Sequence, residues 1–402
     1  MRSPNCHEPT PTRQDEMKHY TVYTDTNFLV TGGVDKAYID SIISTMSTQD
    51  LSSSGRDPST KRETFDPAEL AVCLSHYDLG IIHSIQPFTK GSRRSPKVII
   101  NCERGKFLFK RRAHGKNDVN KVAFTHQIQL YLAGQGFPLP HLIGTRKDNN
   151  SMLILDGRIY ELFEFIEGKP YDRSLSATLD AGRILGLFHK LMLGFHGDYE
   201  PPSGSYHGSN AVRQAVHTTV GSLPPENKPS KEILTETTSF LDDAYLRCAT
   251  EADENGLRDW PKQIVHGDWH PGNMLFRNDL VAAVIDYDTA RLQQRIIDLA
   301  NGAVQFSIIG GSQDPNEWPD YPDKTRLKRF LLGYDSVNVI SKAEIKILPL
   351  LMCEAMIAEA VLPIAATGSF GSMEGFPFLQ MIQRKVKWIL DHVEEVRSIL
   401  KD

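Results

Sequence analysis

Strand-forming and helix-forming patterns occupy separate stretches of this chain, and that segregation restricts the folds open to it. Three strand-like runs, Ile81–Pro87, Lys97–Cys102 and Lys106–Arg111, follow one another early. The last two are joined by Glu103-Arg104-Gly105, short enough for a tight turn. Met152–Leu155 and Ile159–Phe165 read as a hairpin with Asp156-Gly157 at its turn. Ahead of the strands, Asp66-Pro67 is an N-cap followed by proline at the first helical position, predicting a helix to about Tyr77. Val122, Phe124, Ile128 and Leu132 give 117–134 a helical period, ended by Gly134 and Gly136. After Gly168-Lys169-Pro170 the pattern turns helical, over 175–193, 232–251, 294–308, 323–335, 342–361 and 376–400. A loop-and-hairpin unit at 264–285 interrupts these helices, and 197–230, rich in Gly, Pro, Ser and His, reads as a long insertion or flap. Strands first and then mostly helices predict an α+β fold with two unequal lobes. The boundaries expected are 1–64 for an N-terminal extension, 65–167 for the small lobe and 168–402 for the helical lobe. In the extension, Ser44–Arg62 has little to bury and is expected to be a linker or disordered, with short strands at Tyr20–Tyr23 and Phe28–Val30.

Composition narrows the partners. With 402 residues there is length for a large core. The net charge of −5 offers no global basic field for nucleic acid or an anionic membrane, and a neutral or cationic small substrate fits it. No apolar run is read as reaching the roughly 18–20 residues of a membrane span, and Met1–Gln14 is polar, without a signal-peptide core. The five scattered cysteines have no metal-site spacing, so free, mostly buried thiols in a reducing cytoplasm are expected. Nothing in the pattern sets an oligomeric state.

The chemistry concentrates in His266-Gly-Asp-Trp-His-Pro-Gly-Asn273, followed by Ile285-Asp-Tyr-Asp288. Asp268 and Asn273 keep the Asp-to-Asn interval of a phosphoryl-transfer catalytic loop, with Asp286 as the later acid. Asp268 is the candidate catalytic base, since a carboxylate beside an acceptor hydroxyl can orient it and take its proton. Alone it reads equally well as a turn-capping Asp. Asn273 and Asp286 offer the hard oxygens that suit Mg²⁺, Asp286 from the end of the apolar run Leu280–Ile285. Asp288 is assigned to holding the loop. His266 and His270 lack the ligand count and the helix of a zinc site and are assigned to the same structural task. Lys110, ending Phe107-Leu-Phe-Lys110, is a candidate for reaching phosphates as a point charge, with Arg111 and Arg112 competing. Gly91 and Ser92 lie in a strand-turn-strand unit placed to cover phosphates, a weak pattern with one glycine and with Arg93 beside it.

These motifs resemble the aminoglycoside phosphotransferase and choline kinase superfamily, and are similar to its homoserine kinase type II and spore-coat-kinase-like branches. The resemblance covers about residues 70–390, with softer support from Gly136-Phe-Pro-Leu-Pro140 and Leu162-Phe-Glu-Phe-Ile-Glu-Gly168. It implies a protein-kinase-like bilobal fold, with a small antiparallel-sheet N-lobe and a larger, mostly helical C-lobe. It implies an ATP- and Mg²⁺-dependent kinase moving phosphate to a hydroxyl of a small molecule, with ATP between the lobes. Residue by residue, Asp268 would be the base, Asn273 and Asp286 the metal ligands and Lys110 a phosphate contact. Phe163 to Ile166, with Phe165 and Ile166 at its end, would form the hinge whose backbone meets adenine, and Asp298 would support the metal-binding segment.

One departure stands out. Kinase-like folds pair the strand lysine with a glutamate on the next helix. Here Thr125 stands where that acid is expected, so Lys110 lacks its usual partner or uses another. Two other readings are a kinase acting on protein Ser or Thr, and a non-catalytic nucleotide-binding protein. The missing activation segment between Asp286 and Asp298 counts against the first, and the missing helix acid is what supports the second. Glu354, Glu359 and Glu374 are candidate contacts for an amine on the acceptor.

Overall fold

The structure is a computed structural model that describes residues 62–224, 229–312 and 314–400. The strands expected at 20–23 and 28–30, the linker up to residue 61 and Cys6 lie outside these residues. By its internal contacts the chain divides into two units. One holds the described residues up to His126 together with Pro140–Phe165, and the other holds Gln127–Leu139 and the described residues from Ile166 onward.

The first unit is a five-stranded antiparallel sheet in the order β1-β2-β3-β5-β4, made of β1 (Ile82–Pro87), β2 (Lys97–Cys102), β3 (Gly105–Arg111), β4 (Leu153–Leu155) and β5 (Arg158–Glu164). Asp156 and Gly157 both adopt positive φ (49° and 69°) and close the β4–β5 hairpin as expected. Helix α1 (Pro67–Leu74) starts at Asp66, whose side chain accepts from Ala68 and Glu69 N–H in a capping box. It ends at Leu74, three residues short of the expected Tyr77. One sheet face packs on α1 through Phe65, Leu70, Leu74, Phe109 and Tyr160, with the Phe109 and Tyr160 rings stacked at 5.8 Å. Helix α2 (Val119–Gly134) begins in this unit and ends in the other.

The second unit is mostly helical: α3 (Leu175–Met192), α4 (Asn210–Ser222), α5 (Lys231–Glu254), α6 (Arg295–Ser307), α7 (Lys324–Asp335), α8 (Lys342–Thr367), α9 (Gly375–Asp391) and α10 (Val393–Ser398). Two small ladders, β6 (Lys262–Val265) with β9 (Arg291–Gln294) and β7 (Met274–Arg277) with β8 (Leu280–Val284), lie in sequence between α5 and α6. Several expectations are corrected. The Gly/Pro/Ser-rich stretch 197–230 contains α4, because Val212, Ala215, Val216 and Thr219 repeat at helical spacing and are buried. The last expected helix is broken at His392 into α9 and α10. Helix α8 runs on to Thr367, and by length and composition it is apolar enough to cross a membrane, contrary to the expectation of no such run. Most of that apolar stretch is buried, packed against α4, α5, α6, α9 and α10, so its composition is that of a core helix.

Helices α3 and α7 approach so closely that glycine is required. A Cβ at Gly182 would collide with the Phe330 carbonyl, and one at Gly333 with the Leu179 carbonyl. Gly333→Ala is therefore expected to lower unfolding stability by about 1–3 kcal/mol, read from urea denaturation.

A charged cluster joins the loop before α4 to α5 and α8. His207 Nδ1 lies 3.0 Å from Glu354 Oε1, and its Nε2 lies 3.2 Å from Asp253 Oδ1. Arg258 also binds Asp253, at 2.7 Å. Burial opposes charge on His207, but the two carboxylates outweigh it and raise its pKa. Burial likewise raises that of Glu354 against the pull of His207. Both groups hold protons more tightly folded than unfolded, so their contribution is full at low pH and is lost as pH rises through the folded values. The thermal-stability gap between wild type and His207→Gln is expected to be widest below pH ~6.5, the unperturbed histidine value, and to narrow at alkaline pH.

Candidate active site

In the second unit, Asp298 on α6 organises the His266–Asn273 loop. Its Oδ2 accepts the His266 N–H (3.1 Å) and its Oδ1 the Gly267 N–H (3.0 Å), while His189 Nε2 on α3 lies 3.1 Å from Oδ2. Thr289 Oγ1 donates to the His266 carbonyl (2.9 Å). Gly267 has φ +77°, and a Cβ there would strike the Thr289 carbonyl, so glycine is required for the turn. His266 is fully buried. Its ring packs on Trp269 and Tyr287, and its Nε2 donates to the Ile285 carbonyl (3.2 Å), consistent with a structural part.

Asp268 is gripped from two sides. Asn273 Nδ2 donates to both its backbone carbonyl (3.0 Å) and its Oδ2 (2.9 Å). His270 Nε2 lies 3.4 Å from the same oxygen. Gly272 N–H donates to His270 Nδ1 (3.0 Å), which keeps the neutral ring's proton on Nε2, facing Asp268. Burial would raise the Asp268 pKa, but His270 and Asn273 more than offset it, and the group stays a carboxylate.

Asn273 and Asp286 meet through the β7–β8 hairpin. Met274 pairs with Val284, and the Ile285 N–H donates to the Asn273 carbonyl (2.9 Å), which brings the residue before Asp286 beside Asn273. Because Asn273 spends its amide nitrogen on Asp268, its side-chain oxygen is turned away from that bond. Asp286 takes a left-handed conformation (φ 64°, ψ 69°), which Asp tolerates and which ends the strand abruptly. Its exposed carboxylate has no hydrogen-bond or ion-pair partner among the described residues. Two hard oxygen donors on one hairpin end fit an ion that keeps several waters, as Mg²⁺ does. Among the described residues no group of three or more His, Cys, Asp or Glu could hold a metal ion.

In the first unit the register sorts the three cations. Lys110 lies directly opposite Glu161, and Arg112 donates its N–H to Ile159 O, so both face the side of the sheet carrying Glu161. Arg111 faces the other side, where Glu69 takes its Nη1 (2.7 Å) and Glu63 its Nη2 (3.0 Å). Arg112 Nη2 is fixed on Glu161 Oε1 at 2.8 Å. Lys110 holds the longer contact, its Nζ 3.5 Å from Glu161 Oε2. The acid missing from α2 is thus found on β5, and Thr125 bonds back to Val122 O (2.9 Å). Sequence reading passed over Glu161, although a glutamate inside the apolar run Ile159–Phe163 was its signal.

The Gly91–Ser92 turn, with Gly91 at φ +78°, lies at the Lys110 end of the sheet, since β2 leaves it at Lys97, the residue opposite Lys110. Arg62 Nη1 donates to Ser92 O (3.0 Å) and holds the turn. Phe165 and Ile166 straddle the division between the units. Phe165 N–H donates to Lys106 O (2.9 Å), so of the proposed hinge groups that N–H is already committed. Of the three candidate acids for an amine, Glu354 is committed to His207 and the Gly208 N–H, while Glu359 lines a cavity of about 440 Å³ beside Gly267, together with Arg291, Gln293 and Asn301.

Residues 84–330, more than half of the chain, match the family model described as the phosphotransferase enzyme family, and the chain belongs to that family. It is 27% identical over 294 residues to the homoserine kinase of Bradyrhizobium diazoefficiens, covering 70% of this chain and 79% of that protein. It is 25% identical over 283 residues to that of Zymomonas mobilis, covering 69% and 79%. Among solved structures, a microcompartment-associated aminopropanol kinase superposes with a TM-score of 0.62 at 14% identity, over 81% of this chain and 97% of that one. An aminoglycoside phosphotransferase from Alicyclobacillus acidocaldarius gives 0.56 at 16% identity, over 87% and 98%. The expected kinase-like α+β fold holds, and the protein is a small-molecule kinase that transfers phosphate from ATP to a hydroxyl.

Asp298→Ala would strip the His266 and Gly267 N–H groups of their acceptor inside the fold. It is expected to cost about 1–3 kcal/mol for each group left unpaired, seen as a lowered melting temperature.

Proposed function

We propose that Asp268 is the catalytic base and that Asn273 and Asp286 hold Mg²⁺ on the ATP phosphates. Lys110 and the Gly91–Ser92 turn contact the phosphates. The Phe165 carbonyl and the Ile166 N–H meet the adenine edge. When bound, the metal would neutralise negative charge on the phosphates. The observation that carries this reading is the grip on Asp268: two neighbours hold its carboxylate ionised and oriented, as a base must be before the acceptor arrives. The acceptor oxygen forms its bond to the γ-phosphorus as the bond to the bridging oxygen of ADP breaks, and its proton passes to Asp268.

For the acceptor we propose a small amino alcohol or hydroxy amino acid, seated in the cavity beside Gly267. Glu359 supplies a carboxylate there, its pKa raised first by burial and then by the charge of Asp268, a setting that an incoming ammonium relieves. The buried Asn301 Oδ1 lines the same cavity and has no hydrogen-bond partner among the described residues, so it is a ready acceptor. Arg291 spends Nε on the Thr289 carbonyl (2.8 Å) and has no ion pair among the described residues, which leaves its outer nitrogens for an acceptor carboxylate. The homoserine kinases that this chain resembles make homoserine the first compound to assay.

A panel of amino alcohols and hydroxy amino acids, assayed for phosphate transfer from ATP, tests the reading. Asp268→Asn is expected to lower kcat by about 10²–10⁴-fold with little change in ATP affinity. Asp286→Ala is expected to weaken Mg-ATP binding, and unchanged affinity would remove it from the metal site. Glu359→Gln is expected to raise KM for amine-bearing acceptors and to leave KM for ATP in place. A panel in which no hydroxyl compound is phosphorylated overturns the acceptor class.

A further inference from the structure

Lys110 has an acid partner that kinase-like folds do not ordinarily provide from this position. In those folds the strand lysine is paired from the following helix, and movement of the helix makes or breaks the pair. Here Lys110 and Glu161 are direct cross-strand neighbours on β3 and β5, so the sheet register sets their pairing. The Glu161 side chain is 0% exposed, and its two oxygens have different surroundings. Oε1 accepts from Arg112 Nη2 and His126 Nε2, both at 2.8 Å. Oε2 accepts no hydrogen bond among the described residues and has Lys110 Nζ 3.5 Å away.

Helix α2 takes part through His126. A carboxylate can only accept, so His126 carries its proton on Nε2, and its Nδ1, 2.8 Å from Ser151 Oγ, accepts from that hydroxyl. Burial, more than the opposing pull of Glu161, pushes the His126 pKa down, in keeping with a neutral ring. Burial would raise the Glu161 pKa, but Lys110 and Arg112 outweigh it and hold the group ionised. This division of labour leaves Lys110 free to act. Arg112 stays on Oε1 and keeps the buried charge compensated, while the ammonium on the Oε2 side is aligned by charge without being locked in a short hydrogen bond.

We propose that Glu161 is the positioning residue of Lys110, so that the phosphate-contacting ammonium is set by the β3–β5 register and not by a glutamate on α2. This rests on the reading of Lys110 as a phosphate contact, and the test separates the two. Glu161→Gln is close to isosteric, keeps an oxygen for Arg112 and His126, and removes the charge that Lys110 faces. The probe is Mg·AMP-PNP, titrated calorimetrically against wild type, Lys110→Ala, Glu161→Gln and the double variant, with adenosine as a control that has no phosphates.

Lys110→Ala and Glu161→Gln are each expected to weaken Mg·AMP-PNP binding by tenfold or more. The double variant should be no weaker than Lys110→Ala alone, and adenosine binding should stay within threefold of wild type. If Lys110→Ala binds like wild type, the phosphate role of Lys110 falls and the proposal falls with it. If Lys110→Ala is weakened while Glu161→Gln binds normally, or the two losses multiply in the double variant, the phosphate role survives and the positioning role is overturned. Equal weakening of adenosine by Glu161→Gln likewise marks a purely structural residue. Should Glu161→Gln fail to fold, Glu161→Gln/His126→Glu returns the acid to the helix. Binding within threefold of wild type then supports a carboxylate acting through Lys110, and binding as weak as Lys110→Ala, or no folded protein, overturns it.

Discussion

The path of the His266–Asn273 loop depends on a single buried carboxylate. Asp298 takes two consecutive backbone N–H groups, those of His266 and Gly267, and is itself held by His189. A short loop of Gly, Pro and His has little packing of its own. Charge-assisted bonds from a helix-borne acid give it a fixed path, and Asp268 follows immediately on that path. Gly267 is the complementary constraint, since any side chain there would push the loop off Thr289. The position of Asp268 is therefore set by Asp298, His189 and Gly267, residues that fix the backbone just ahead of it.

Much of this arrangement was legible in the sequence because it is local. The Asp66 cap, the Asp156-Gly157 turn, the His266–Asn273 loop and the apolar strand before Asp286 each announce themselves within a few residues. The features that went unread depend on register or on distant packing. That Lys110 and Arg112 share a face with Glu161, while Arg111 turns to Glu69, follows from which residues of β3 and β5 lie opposite, and no local pattern fixes that. Helix α4 was hidden by flanking Gly, Pro and Ser, whose local preferences are overridden by burial of Val212, Ala215 and Val216. Glu354 read as a candidate amine contact, because its helical spacing does not reveal that His207 approaches it from a loop.

The first unit places charge clusters on both sides of the β3–β5 pair. On one side Glu69 gathers Arg111, Arg158 and Tyr160; on the other Glu161 gathers Lys110, Arg112 and His126. In each cluster one carboxylate is shared among several donors, so removing any one cation leaves the acid partly compensated. The first cluster fastens α1 to the sheet. The second has the same construction, with Lys110 at 3.5 Å as a longer contact than Arg112 or His126.

Helix α8 has a consequence for the order in which the protein is assembled during synthesis. It is the apolar centre of the second unit, packed against α4, α5 and α6, and α6 carries Asp298. Until residues 342–367 have emerged from the ribosome, the faces of those three helices that meet α8 have nothing to cover them. The residues that carry the phosphotransferase motif are complete by Asp298, yet the helix that anchors their loop acquires its packing partner only some distance later in the chain. A nascent chain of this protein thus holds its motif sequence before it holds the core that supports it.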